Sequence, residues 1–200
     1  MNPWYDQLPV AGDFAQIRTE PKADPVLEAL AAGDARAMSH VYREHNAAVR
    51  AFATRLLGDE AAAEDMVQEA FVALPRAVQR FRGETSLRSF VIAVAVNHAR
   101  HFVRAAARRR QHLARLSREP TPKVVAPDEI FSREQLAEGL FRALDQLSLD
   151  QRLAFVLCVV EERSSEEVAQ IVAAPAPTVR ARVQSAKKTL RHFLEKGGFR

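Results

Sequence analysis

Cysteine occurs once in these 200 residues, tryptophan once, tyrosine twice and glycine seven times. The lone Cys158 excludes an internal disulfide and leaves no thiol set for a structural zinc cluster. It sits in the apolar run Phe155-Val156-Leu157-Cys158-Val159-Val160, the setting of a buried structural thiol rather than of a redox sensor. No apolar run approaches the roughly 20 residues of a membrane span. The first residues carry Asp6 and Asp13 and lack a basic start, so they do not read as a signal peptide. A cytoplasmic protein without membrane insertion is expected. Scarce glycine and tyrosine, set against abundant Ala, Leu, Arg and Glu, disfavour sheet and favour helix.

Charge is plentiful but unevenly spread. The chain holds 29 Lys and Arg against 25 Asp and Glu, a formal net charge of +4. Residues 1–30 are acidic on balance (Asp6, Asp13, Glu20, Asp24 and Glu28 against Arg18 and Lys22). Residues 97–118 contain seven arginines and no acid, and residues 173–200 contain seven Lys or Arg and only Glu195. Two separated basic stretches suit a polyanionic partner; they equally suit solvated helix faces, and charge alone does not choose.

The apolar period divides the chain. Residues 1–23, with Pro3, Pro9 and Pro21 and no sustained period, read as a flexible arm with Trp4, Tyr5 and Phe14 as late-docking anchors. Residues 24–113 read as one helical module. Gly33-Asp34 and Gly58-Asp59 each pair a helix stop with an N-cap. Val41, Tyr42, Val49, Phe52, Ala53, Leu56 and Leu57 recur at steps of three and four. A third stripe carries Ala63, Met66, Val67, Ala70, Phe71 and Leu74, with Pro75 expected to interrupt and kink that helix. Ser86 is the expected N-cap of a fourth helix bearing Phe90, Val91, Val94, Ala95, His98 and Phe102. Residues 114–129, with Pro120, Pro122 and Pro127, read as a linker. Residues 130–200 form the second module, with Ile130, Leu136, Leu140, Phe141, Leu144 and Leu147 in the apolar pattern of its first helix. The expected fold is all-α: a four-helix bundle and a helix-turn-helix domain joined by a flexible linker.

The last fifty residues are the most informative. Ser148-Leu149-Asp150-Gln151 and Ser164-Ser165-Glu166-Glu167 both match a capping box. The second opens a short helix with Val168, Ala169, Ile171 and Val172 inward, then a turn at Ala173-Ala174-Pro175-Ala176. Pro177 suits the first turn of a longer helix in which Val179, Val183, Ala186, Leu190 and Phe193 face inward. The outward side of that helix offers Thr178, Arg180, Arg182, Gln184, Ser185, Lys187 and Lys188. Arg180, Gln184 and Ser185 are suited to base edges in the major groove; Thr178, Arg182, Lys187 and Lys188 suit phosphates. The fourth helix sets Asn97, Arg100, His101, Arg104 and Arg108 on one face, able to follow a single strand. The loop Phe81-Arg82-Gly83-Glu84-Thr85-Ser86 is able to cradle a flipped base. Glu64, Asp65, Gln68 and Glu69 cluster on the third helix opposite its apolar stripe. Paired carboxylates invite acid–base chemistry, but no nucleophile, metal-ligand set or phosphate loop accompanies them. A docking or solvated face is the expectation, and neither catalysis, cofactor nor metal is expected.

Leu56-Leu57-Gly58-Asp59, the run from Ala63 to Phe71 and the loop from Phe81 to Ser86 together resemble conserved region 2 of bacterial sigma factors, and residues 143–194 resemble region 4. Two such regions with a short linker resemble the extracytoplasmic-function class (group IV) of the sigma-70 family, over residues 25–194. The resemblance implies a protein that binds core RNA polymerase and promoter DNA to initiate transcription of a specific regulon. It places Glu64, Asp65, Gln68 and Glu69 on the clamp helices of the β′ subunit, and region 4 near the flap of β. Phe81, Arg82, Gly83, Glu84, Thr85 and Ser86, with Asn97, Arg100, His101 and Arg104, would meet the −10 element. Thr178, Arg180, Ala181, Arg182, Gln184, Ser185, Lys187 and Lys188 would meet the −35 element. It also implies control by an anti-sigma factor, which would hold the protein in the cytoplasm or at the membrane. The chain departs from the family pattern at Pro75, at the turn Ala174-Pro175-Ala176-Pro177, and at Glu161-Glu162-Arg163, where a glycine is usual. The rival readings are a one-component helix-turn-helix regulator and a sigma-like module that sequesters a partner without promoter activity.

Overall fold

A computed structural model describes residues 25–81, 85–116 and 133–196, and every regular element among them is helical. The expected arm lies outside the described residues, as does most of the expected linker. The N-terminal module comprises α1 (Pro25–Ala31), α2 (Ala35–Leu57), α3 (Glu60–Ala77) and α4 (Leu87–Leu116). The C-terminal module comprises α5 (Arg133–Leu144), α6 (Leu149–Phe155), α7 (Ser165–Ile171) and α8 (Ala176–Lys196).

Helix ends follow the local chemistry. Asp34 accepts hydrogen bonds from the Arg36 and Ala37 amides at 2.8 Å, fastening the start of α2. Gly58 closes α2 in the left-handed conformation at φ 66°, and Asp59 then caps α3 through the Ala62 amide. Both expected capping boxes form. Ser148 and Gln151 exchange bonds at the start of α6, and Ser164 and Glu167 do so at the start of α7. The interruption expected at Pro75 does not occur: α3 runs on to Ala77 and passes into a 3-10 turn at Val78–Arg80. Pro75 stands in the last turn, where its missing amide frees only the Phe71 carbonyl, so little regular structure remains to lose.

Most of each stripe read from the sequence faces inward, but Tyr42, expected inward on α2, is 36% exposed at its edge, its ring against Phe71. Val41, Val49, Phe52, Leu56, Leu57, Met66, Val67, Ala70 and Leu74 are buried between α2 and α3, against Val91, Ile92, Ala95 and Ala99 of α4. Of the adjacent pair expected inward, Leu140 is 47% exposed while Phe141 packs against the core. α6 ends in a π-helical turn at Val156–Val160, which the apolar run did not reveal. The turn leaves Val159 and Val160 partly exposed, and Glu162 follows it at φ 56° where a glycine would be unstrained. Cys158 is half-buried; burial pushes its thiol pKa up and a hydrogen bond with Ser165 opposes this, so the thiol is protonated and unreactive near neutral pH.

The two modules lie against each other. Leu153, Val156, Leu157, Val168 and Ile171 join the core of the N-terminal module in one buried cluster. Ala143, Leu144 and Leu147 form a smaller cluster with Ala186 and Leu190, which fixes α5 on α8. Between the modules, Phe141 lies so close to Gly58 that a Cβ there would stand 2.5 Å from its ring. Arg110 of α4 bonds both oxygens of Asp145 at 2.6 and 2.9 Å and donates to the Leu57 carbonyl. Arg55 pairs with Glu161, and Arg163 donates to the Ser89 hydroxyl at 3.1 Å.

Candidate nucleic-acid and polymerase interface

Three surfaces carry the residues singled out from the sequence, and none of them is covered by the packing of one module on the other. The first is the outer face of α3. Asp65 and Gln68 are exposed and make no hydrogen bond or ion pair with any described residue. Glu69 is exposed and its Oε2 stands 3.3 Å from Nδ1 of His98 on α4. Glu64 is different: it is half-buried and pairs with Arg50 of α2, so its first task is to join two helices. Val72, 74% exposed, continues the stripe one turn beyond Gln68. A spacing of three, four and seven from Asp65 places Gln68, Glu69 and Val72 on one face. Val72 thus stands on the polar side of the α3 period, a position already readable from the sequence.

The second surface is α4 with the loop before it. Ser86 caps α4, its hydroxyl accepting from the Ser89 amide at 3.2 Å. Phe81 anchors the near end of the loop by packing on Phe90, ring centroids 4.4 Å apart. Arg82, Gly83 and Glu84 lie outside the described residues. Under Ser86 a cleft of about 340 Å³ is lined by Val26, His40, Glu44, His45, Leu87 and Arg88. Burial pushes the His45 pKa down against the opposing pull of Glu44, with Arg88 adding to the shift, so its imidazole is neutral near pH 7. One helical face carries Asn97, Arg100, His101, Arg104 and Arg108, all exposed. The three arginines make no ion pair with a described residue. This is a row of uncommitted cations.

The third surface is α8. With Val179, Ala186 and Leu190 buried, about 100° per residue places Ala181, Gln184 and Lys188 opposite the core. Arg180 and Lys187 flank that ridge on one side, Thr178 and Ser185 on the other. Each flank is held from behind. Arg180 bonds Glu166 of α7 at 3.0 Å, and Gln151 of α6 donates to the Ser185 hydroxyl at 2.8 Å. Arg182 is half-buried and bonds Asp150 of α6 at 2.6 Å, so it holds α8 in place as much as it faces outward. These three tethers were not visible in the sequence, because each joins residues 14 to 34 positions apart. Only the capping boxes and the turn were local enough to read.

The family model for sigma-70 region 2 matches residues 41–109, and that for sigma-70 region 4 matches residues 137–190. The chain is 30% identical over 188 residues to the "ECF RNA polymerase sigma factor SigE" of Mycolicibacterium smegmatis, covering 92% of this chain and 72% of that protein. It belongs to the extracytoplasmic-function sigma factors. The sigma-E factor of Escherichia coli is 28% identical over 183 residues, 86% of this chain and 94% of that one. Among solved structures, CnrH in complex with the cytosolic domain of CnrY aligns with a TM-score of 0.59. That alignment has 22% identity and covers 86% of this chain and 96% of that chain. The sigma factor RpoE bound to the anti-sigma factor NepR from Bartonella quintana aligns with a TM-score of 0.54. Its identity is 24%, over 78% of this chain and 96% of that chain. As a sigma factor of this class the chain serves transcription initiation, with α2 to α4 forming region 2 and α5 to α8 region 4. Among the described residues no helix is long and apolar enough to cross a membrane.

Proposed function

We propose that this sigma factor seats the α3 stripe of Asp65, Gln68, Glu69 and Val72 on the clamp helices of the β′ subunit, with Glu64 at its edge, and region 4 on the flap of β. α8 then enters the major groove of the −35 element. Gln184 and Ser185 meet base edges with Arg180, Ala181 offers a methyl contact, and Thr178, Arg182, Lys187 and Lys188 follow phosphates. At the −10 element, Asn97, Arg100, His101 and Arg104 track the unpaired strand while the loop from Phe81 to Ser86, including Arg82, Gly83, Glu84 and Thr85, holds one extruded base. The neutral His45 and the cleft beneath Ser86 fit an uncharged nucleobase edge.

The observation that carries this reading is the α8 ridge. It is an exposed basic helix behind a doubly capped α7, on a chain whose other module exposes a second row of arginines. Duplex recognition at one end and strand capture at the other let binding energy alone melt the promoter. The protein itself performs no catalysis and needs no cofactor. An anti-sigma factor gates it, in the cytoplasm or at the membrane; the two structural neighbours bound to NepR and to CnrY support that reading.

The test is binding to purified core polymerase and to a labelled −35 duplex. Asp65→Ala/Gln68→Ala should weaken polymerase binding at least about tenfold and leave duplex affinity unchanged, since a few central side chains dominate such interfaces. Duplex binding by a wild-type protein that ignores core polymerase would overturn the reading in favour of a plain regulator.

A further inference from the structure

We propose that residues 1–24 dock on the arginine row of α4 and compete there with an unpaired DNA strand. The inference rests on the reading of that row as the −10 strand binder. Arg100, Arg104 and Arg108 are exposed, with His101 among them, and the three arginines make no ion pair with a described residue. Their neighbours are occupied: Arg109 pairs with Asp59 and Arg110 with Asp145. No acid lies between Asn97 and Arg118 to answer the row from α4 itself. Three cations within about 12 Å of helix repel one another, and a partner carrying carboxylates relieves that repulsion.

The N-terminal segment of this same chain has the matching chemistry. Residues 1–24 lie outside the described residues; they carry Asp6, Asp13, Glu20 and Asp24 against Arg18 and Lys22. Two of the acids adjoin aromatic rings, in Trp4-Tyr5-Asp6 and in Asp13-Phe14. A carboxylate next to a ring offers what a nucleotide offers, one anion and one stackable face. The same guanidinium groups and imidazole accept either.

The point where the segment joins the fold favours this surface. It enters α1 at Pro25, one residue before Val26, which lines the cleft shared with Ser86, Leu87 and Arg88 at the start of α4. From Leu87, Arg100 stands about 20 Å along the helix and Arg108 about 32 Å. At about 3.3 Å per extended residue, Asp13 reaches about 40 Å from Pro25 and Asp6 about 63 Å, so both span the row. α8 is the weaker competitor, because Glu166 and Asp150 already serve Arg180 and Arg182. A short tether sets an effective concentration on the order of 1 mM. A contact with an intrinsic dissociation constant of about 0.25 mM is then enough to lower strand affinity about fivefold.

The experiment uses the full chain. Asp6→Asn/Asp13→Asn/Glu20→Gln should raise affinity for a −10 single strand about fivefold near about 50 mM salt, measured by fluorescence anisotropy. The gain should shrink toward none near about 0.3 M salt, where exposed charges are screened. Affinity for a −35 duplex should stay at the parental value, which separates docking from a general change in net charge. A nitroxide on Gln16→Cys in a Cys158→Ala background locates the segment. It should broaden the amide resonances of residues 97–108 well beyond those of residues 178–188, and added single strand should relieve the broadening. Arg100→Ala/Arg104→Ala should relieve it too, with helicity retained by circular dichroism. Strand affinity unchanged by the neutralised acids, an equal gain on the duplex, or broadening absent from α4 would each overturn the docking. Broadening of α4 in a protein that binds no single strand would support the docking and contradict the −10 reading.

Discussion

Both basic helices of this protein point arginines outward, yet they treat them differently. On α8 the cations and polar readers are fastened from behind: Arg180 to Glu166, Arg182 to Asp150, Ser185 to Gln151. On α4 the arginines at 100, 104 and 108 have no such partner among the described residues. The difference matches the proposed ligands. A duplex presents a rigid groove, and rigid readers lose less entropy in meeting it. A melted strand has no fixed shape, so mobile cations and a stackable imidazole adapt to it. On that reading the tethers on α8 would also tax affinity, because Glu166 would have to release or share Arg180 when a phosphate or base arrives. On the proposed reading, region 4 would give up some attraction for precision and region 2 would keep its attraction.

The comparison breaks most visibly if the readers are removed. Arg180→Ala/Gln184→Ala should cost roughly 10- to 100-fold in affinity for a −35 duplex and nothing for a −10 single strand, measured by fluorescence anisotropy. A matching loss on the single strand would show that the two helices are not specialised. Next in size, Arg100→Ala/Arg104→Ala should weaken single-strand binding about tenfold at low salt. It should also flatten the salt dependence by a slope of about 1.4, since each phosphate contact contributes about 0.7. The duplex should be unaffected. A subtler change sharpens the contrast: Glu166→Gln frees Arg180 and should raise non-specific duplex affinity about two- to threefold while lowering discrimination between promoters. No gain in non-specific affinity would mean that the tether plays no part in selectivity.

The smallest effect concerns the frame that holds the readers. Ser164→Ala removes the N-cap of α7 and should cost about 1 kcal/mol, or roughly 2–4 °C in Tm by calorimetry. The same cap gives α7 a pH dependence. The backbone hydrogen bond from Ser164, then the bond with its hydroxyl, holds the Glu167 carboxyl below its ordinary range. A depressed folded-state pKa stabilises above the unfolded value of about 4.3 and is lost as pH falls through the folded value. Between pH 5 and pH 3 the parent should therefore lose stability more steeply than Ser164→Ala, whose carboxyl has lost the hydroxyl bond.

What the sequence disclosed was local. Gly58-Asp59 and the two capping boxes act within four residues, and the apolar stripes repeat within seven, so each could be read without knowing what they pack on. The site residues were legible as faces for the same reason. The partners that qualify them were not. Glu64 looks equivalent to Asp65 in the chain, but Arg50 claims it. Arg182 looks equivalent to Arg180, but it is half-buried on Asp150. The meeting of Arg110, Asp145 and Phe141 joins residues 31 to 35 positions apart with no shared period, and only the fold brings them together. Pro75 misled in the opposite direction, because the cost of a proline depends on how much helix follows it.

The account rests on initiation by a protein that docks through α3. Run-off transcription with purified core polymerase and a library of promoter fragments, with and without this protein, tests it directly. The expected result is specific transcripts that require the protein and disappear with Asp65→Ala/Gln68→Ala. Transcripts that persist undiminished with that double substitution, or a polymerase that binds the wild-type protein and initiates nowhere, would contradict it.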